Sequence, residues 1–474
     1  MAAKARGNNS ELVYIAEVTK GTTPASGTVK TVRQQGETFD YTKPRDYDGD
    51  IVSDGQHSST VTQTASIPGG FSFQLSHQLL DDFIPPLCGK NAFTTTTVTI
   101  TGAIVVTNGV AVFTDTASPD LSGIVPNTVI TLSGTASNDG DWLCTAVDDT
   151  ADTVTFIAFK DGQADPVNEA GIASKTLTNI TCRFGGNDFD TFTFEKRLGV
   201  LGSDDAALRF RGMQPDSLSI SLSPGGGVTG EIGFLGLAQT VEDNGIVSPY
   251  SYTVHDDNGG GGTIDPASDT CIVNGTGTGN FAVGDVFWFE GDEVERTVVS
   301  IAGDATYAFS FTPAMESGTT IANATNLFVF TPGTAVGTAQ KMENNLGYIR
   351  VNGQEVCYSA FNFSVSNNAS PTYCVGKADP DSNEPADKTC SGSISAYVDT
   401  NEVELMKLVR AGTTFSGVLA CVDRSGNVWG VGFQTLDGTQ EEPKISDPGV
   451  ITQNIPFNAL KDSTYNTYCT FFKA

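Results

Sequence analysis

The chain has 474 residues, more than one hydrophobic core usually serves, so two to four structural units are expected. Hydrophobic residues make up 39% and charged residues 17%, with 52 glycines against 5 methionines, a balance that favours β structure over long amphipathic helices. Lys and Arg number 26 against 55 Asp and Glu, and the resulting net charge of −29 argues against a protein that grips nucleic acid, because neutralising phosphates needs clustered cations.

Residues 1–17 carry basic side chains with no apolar run behind them, and no stretch approaches the 18 apolar residues of a membrane span. The expectation is synthesis in a cytosol, without a signal peptide or membrane anchor and with reduced thiols. Cysteines at 88, 144, 182, 271, 357, 374, 390, 421 and 469 form no CxxC pair, so zinc and redox motifs have no support.

Along the chain, Ser76 reads as the N-cap of a helix that sets Leu79, Leu80, Phe83 and Ile84 on one face before Pro85-Pro86 stops it. Strand signals follow at 97–106, 110–114, 128–133, 153–158, 191–195, 286–290 and 327–331, each short, rich in Val, Thr, Ile and Phe, and bounded by turn formers. The clearest hairpin has Leu218, Ile220 and Leu222 alternating with serines, a Pro224-Gly-Gly-Gly tip, and Val228, Ile232 and Phe234 on the return strand, with Glu231 between them. One face should be buried and the other wet. Such a ribbon leaves strand edges that a neighbouring copy can pair. A second helix opens at Asp399-Thr-Asn-Glu402, carries Val403, Met406 and Val409 inward, and ends near Gly412.

Both halves read strand, helix, hairpin, then long hairpin with a Pro-Gly tip, which points to an internal duplication. The expected organisation is a first core half at 1–91 and 184–257, a second at 341–474, and inserted β modules at 92–183 and 258–340. The modules echo each other, with Ile124-Val-Pro-Asn-Thr-Val-Ile-Thr-Leu matched by Ala282-Val-Gly-Asp-Val-Phe-Trp-Phe.

Chemistry is sparse. His57, His77 and His255 stand apart from any nucleophile motif, so no catalytic residue is assigned. Asp46-Tyr-Asp-Gly-Asp50 has the start of a calcium loop, but Ile51 and His57 occupy the positions that need Gly and Glu, so an ordinary acidic turn is favoured. Asp379–Asp387 reads as a solvated loop, and Trp142, Trp288 and Trp429 read as core. No metal and no cofactor is expected.

Val13-Tyr-Ile-Ala-Glu17-Val-Thr-Lys-Gly21-Thr-Thr-Pro24, the hairpin over 217–236, the two short helices and Val450-Ile-Thr-Gln-Asn-Ile-Pro-Phe-Asn-Ala-Leu460 together resemble the tail tube, or major tail, proteins of long-tailed bacteriophages. The resemblance covers 1–91, 184–257 and 341–474. It implies packed β-sheets with a flanking helix, in subunits that form rings and stack into a hollow tube for the genome. Two tube folds per chain imply trimeric pseudo-sixfold rings, other tail proteins at the tube ends, a virion location and transient passage of DNA, with the modules on the outside. The expected fold is therefore all-β with two short helices, a duplicated tube core and two inserted β modules. Leu218, Ile220, Leu222, Val228, Glu231, Ile232 and Phe234 are the candidate ring or lumen hairpin. The alternatives are a carbohydrate-binding or adhesive β protein and a glycosidase using two carboxylates.

Overall fold

Runs of Val, Thr, Ile and Phe bounded by Gly, Asn and Asp form strands throughout the computed structural model. It describes residues 11–24, 28–47, 60–117, 119–160, 162–198, 207–223, 225–242, 252–255, 270–274, 286–289, 296–302, 307–312, 326–330, 334–352, 354–355, 358–398, 400–439 and 451–474. The protein is all-β with two short helices. The expected strands appear as Thr94–Thr107, Val110–Asp115, Thr128–Ser133, Thr153–Ile157, Phe192–Arg197, Val286–Phe289 and Asn326–Phe330.

The described chain divides into two units. The first contains residues up to 32 with 191–213 and 236–336. Its sheet runs 334–335, 30–31, 11–16, 192–197, 207–213, 238–242 in hydrogen-bonded order. Val13, Ile15 and Val29 pack together on it, and Tyr14 lies between Phe192 and Phe194, with ring centroids 5.8 and 5.5 Å away. The Glu17–Gly21 stretch has a structural cause. The half-buried Glu17 carboxylate accepts from the backbone N–H groups of Gly21 (2.7 Å) and Gly212 (2.8 Å) and from the hydroxyls of Thr191 (2.6 Å) and Thr193 (2.7 Å), tying the turn to two strands.

The second unit contains 33–190, 214–235 and 337–474. Here one sheet runs 36–42, 68–74, 229–235, 214–222, 358–366, 389–397, 452–459, 436–438, all antiparallel. Strand Gly36–Glu37 is extended to Thr42 by bonds from Thr38 N–H to Gly70 O, Asp40 N–H to Pro68 O and Thr42 N–H to Ser66 O. Numbered by chain position, the first four strands lie in the order one, two, four, three, and so do the last four. Residues correspond as well: the cross-strand row Glu37, Phe71, Ile232 matches Phe361, Ile394, Ile455. The return strands align as Val228-Thr-Gly-Glu-Ile-Gly-Phe234 and Ile451-Thr-Gln-Asn-Ile-Pro-Phe457.

Two further four-stranded arrangements, one in each unit, share one pairing pattern. Strands 11–16, 192–197, 207–213 and 238–242 pair in sequence in the first unit. Strands 343–351, 415–422, 428–438 and 470–473 do so in the second.

The six strands of 94–183 close on themselves in the order 94–107, 110–115, 153–157, 140–148, 128–133, 169–183. Ile100, Ile104, Phe113, Leu132, Trp142 and Phe156 are in the core of this barrel, and the Trp142 Nε1–H donates to Asn138 O at 2.8 Å. A second six-stranded barrel runs 252–255, 270–274, 307–312, 296–302, 286–289, 326–330, with the same order of connection. Its first strand precedes the glycine run at 259–262.

Several local expectations differ from the structure. The first helix is Ile84–Leu87 and begins at the prolines, because a missing N–H costs nothing in a first turn; 77–83 are turns. Helix Thr400–Arg410 buries Leu405 and Val409 but leaves Val403 38% exposed, so its inward stripe is rotated from the expected one. It ends as expected at Gly412, with φ +68°. Instead of an open loop, Ser382–Glu384 pairs with Ser370–Thr372, and the buried Asn383 donates to Leu235 O at 2.9 Å.

Candidate functional site: the hydroxyl-lined sheet face

Alternation divides the eight-stranded sheet into two chemically different faces. Leu218, Ile220, Leu222, Val228, Ile232 and Phe234 are all buried on one side, as expected, and Glu231 is exposed on the other. Behind the first four strands Phe234 packs against Phe39, Phe71 and Phe83 at 6.1, 6.0 and 5.6 Å. Behind the last four, Phe457 packs against Phe361 and Phe433 at 6.1 and 5.6 Å, and Phe363 meets Phe433 at 5.8 Å. Phe234 and Phe457 occupy equivalent positions, as do Phe39 and Phe363. Two copies of one aromatic core thus back two stretches of a single sheet.

The hairpin margins differ from expectation. Strand 214–222 pairs along its outer side with 358–366, from Ser217 opposite Ser366 to Leu222 opposite Phe361. Strand 229–235 pairs along its outer side with 68–74. The hairpin is therefore interior to the sheet, because the second set of strands occupies the edge that sequence reading left open. The sheet's terminal strand is 36–42 instead, to which no strand other than 68–74 pairs among the described residues.

The wet face is built from small polar groups: Thr38, Ser72, Thr229, Ser217, Ser219, Ser221, then Asn362, Ser364, Ser391, Ser393, Ser395, Thr452, Asn454 and Asn458. Its side chains bond locally, Asn362 Nδ2 to Ser393 Oγ at 2.9 Å and Ser395 Oγ to Asn454 Oδ1 at 3.0 Å. Asp40, Glu231 and Asp437 add negative charge. None of the eight strands carries a lysine or arginine, in a chain that has 26. Asp216, at the irregularity between Pro215 and Ser217, accepts from the Ala369 N–H at 2.7 Å, yet burial pushes its carboxyl above the usual range.

Sequence reading singled out the apolar half of the hairpin and missed the serines of 391–395 and the Asn362, Ser364, Ser366 series. The period-two spacing was the available signal. Thiols take no part in this face. Burial pushes Cys144 and Cys421 up to about 12 and raises Cys88 and Cys469 as well, which keeps them protonated and inert. Among the described residues no group of His, Cys, Asp and Glu is placed to hold a metal ion. The residues 48–59 of the candidate calcium loop lie outside those described.

The family model for the phage tail tube protein matches residues 7–283 and 299–459, and the chain belongs to that family. Membership gives it a structural role in the virion tail, in a tube of many subunits. No curated protein matches the chain in sequence. Among the described residues no helix is long and apolar enough to cross a membrane.

Proposed function

We propose that this chain is the ring-forming subunit of the tail tube and that the hydroxyl-lined face of its eight-stranded sheet borders the channel for DNA. The observation that carries the reading is the one-two-four-three order repeated within one sheet. The contact of strand 214–222 with 358–366 joins the two sets, and the same contact made by the last strand of one copy to the first of the next extends the sheet into a closed wall. Two sets per chain make a pseudo-sixfold ring of three copies. The core halves are 1–91 with 184–251 and 341–474, and the modules that hold the barrels of 94–183 and 252–330 are external additions.

A face without cations and with scattered carboxylates offers phosphates no partner, and within a Debye length of about 8 Å it repels them. Hydrated hydroxyls let a duplex move along it without specific binding, from the capsid toward the host, with other tail proteins closing the tube ends. No catalytic step enters. The test is assembly of the purified chain followed by sedimentation and negative-stain microscopy. Hollow tubes are expected, and a chain that stays monomeric at high concentration would refute the reading.

A further inference from the structure

The two ends of the eight-stranded sheet carry complementary shapes. At one end the glycines of 225–227 run against 340–343: Gly227 bridges to Glu343, and the Met342 N–H donates to Leu75 O at 2.9 Å. A Cβ on Gly227 would collide with the Gln74 side chain, so this wall has to be bare backbone. A cleft of about 680 Å3 lies here, lined by Gln74, Gly226, Lys341, Glu343, Arg424 and the buried Met342. Arg424 Nε pairs with Glu343 Oε1 at 2.5 Å, and burial together with Arg33 holds the Lys341 ammonium below the usual lysine range. Two cations and one carboxylate leave the cleft positive, in a chain whose net charge is −29.

At the other end, Ser370–Thr372 and Ser382–Glu384 form a hairpin that holds Tyr373, Cys374 and Val375 outward, Val375 fully exposed. The projection is braced. Lys377 N–H donates to Cys374 O at 3.1 Å, Asp381 N–H to Thr372 O at 2.8 Å, Tyr373 Oη to Ala65 O at 2.8 Å and Ala65 N–H to Ala378 O at 2.8 Å. Three contiguous apolar or weakly polar side chains held rigidly in water do nothing for the free subunit. Asp379, Asp381 and Glu384 follow them, against the single cation Lys377. One strand links the two features: 229–235 begins with Thr229 opposite Gln74 of the cleft and ends at Leu235, whose carbonyl accepts from Asn383 of the hairpin. At about 3.3 Å per residue they stand roughly 20 Å apart along the strands.

We infer that Val375 and its turn seat in this cleft on a second copy of the chain, and that the contact stacks one ring on the next. The inference rests on the proposed tube role and adds the groups that join rings. The wall closes sideways, along the hydrogen-bonding direction, so the strand ends form the two faces of the ring and put knob and cleft on opposite faces. Such a contact is heterologous and does not close on itself, so it repeats as a filament with one polarity. Seating moves Val375 from water onto Met342 and the aliphatic stems of Lys341 and Arg424, and brings the carboxylates of 379–384 toward the cationic heads.

The experiment compares wild type with Val375→Lys, which replaces the apolar knob by a cation that the cleft repels. At a fully exposed position the fold should survive, which circular dichroism checks. The critical concentration for sedimentable tubes is expected to rise about tenfold, the change that about 1.4 kcal/mol per contact produces. Gly226→Cys gives a second arm that uses the native Cys374 as partner: a Cβ at 226 meets only Ser223 atoms, at 3.5 and 3.7 Å, so the substitution fits. Oxidising its tubes with copper–phenanthroline should join Cys374 to the introduced thiol, identified by peptide mass spectrometry and absent from oxidised free subunits. An unchanged critical concentration for folded Val375→Lys, or tubes without that cross-link, would overturn the stacking contact and leave the tube role intact. A wild type that forms no tubes would refute the tube role, and this contact with it.

Discussion

The sheet of the first unit and the sheet formed by 343–351, 415–422, 428–438 and 470–473 in the second share a pairing pattern and fill it with opposite chemistry. In the first, Glu195 is fully buried and accepts from Arg197 Nε at 2.9 Å and from Arg209 at 3.1 and 3.2 Å, while Arg197 also reaches Glu11 at 3.2 Å. In the second, the register places Val418 where Glu195 stands and Gly432 where Arg209 stands. That surface is apolar and covered. Val129, Leu143, Ile157 and Phe159 of the 94–183 barrel pack on Val418, Ala420, Val422 and Phe472. The Asn127 carbonyl lies so near Gly432 that a Cβ there would sit 2.1 Å from it, while Asn127 and Gln434 side chains bond across the contact at 3.2 Å. The backbone ladder is indifferent to the choice; what must be buried, and against what, decides it.

Substitutions can break this comparison, and the largest effect belongs to the ionic side. Glu195→Ala leaves the buried Arg197 and the part-buried Arg209 without their shared carboxylate and is expected to cost about 3–5 kcal/mol in urea unfolding. Val418→Ala at the matching site should cost only about 2 kcal/mol. Equal losses would mean the two sites are not equivalent. Next, Ile232→Ala and Ile455→Ala remove matching side chains from the two sets of four strands, each fully buried, and each should cost about 3 kcal/mol. A markedly smaller loss at Ile455 would break the equivalence of the sets.

Gly432→Val forces Asn127 and its barrel away from strand 428–438 and should cost about 1–3 kcal/mol. Limited proteolysis should then cut near 184–190 while the eight-stranded sheet stays intact; an unchanged digestion pattern would remove Gly432 from the docking contact. The smallest effect concerns Asp216, in a register irregularity that the 436–438 strand end lacks. Its raised carboxyl value means the folded state holds the proton more tightly. The associated stability is fully present below the unfolded value of about 3.9 and is lost as pH rises through the folded value. Asp216→Asn should therefore flatten the acidic end of the stability–pH profile, and an unaltered profile would show that burial does not govern this group.

Local composition revealed much of this fold. Val, Thr, Ile and Phe runs between turn formers placed strands to within a few residues, and the similarity of 124–132 to 282–289 pointed to two related β modules, without revealing that they are barrels with one connection order. Alternation identified the buried side of the hairpin, whose six apolar residues all lie inside. The contact between 214–222 and 358–366 was not legible, because pairing between two Ser- and Asn-alternating strands far apart in sequence leaves no local signal. That contact moved the open edge from the hairpin to 36–42. The first helix was misplaced for a simpler reason: Pro85-Pro86 was read as a stop where it serves as a start. The inward stripe of Thr400–Arg410 depends on what covers it, which periodicity does not specify. The N-terminal Glu17–Gly21 motif was one of the stretches that together carried the resemblance, but its reason, one carboxylate gathering four donors, needed the fold.

The most direct test is a cryo-electron microscopy reconstruction of the assembled tube at a resolution that separates strands. The account predicts three chains per ring, each giving eight adjacent wall strands in the repeated order, with strand 36–42 joined to the neighbouring copy and the serine face inward. Six chains per ring, or a wall in which 36–42 stands apart from the subunit boundary, would contradict it.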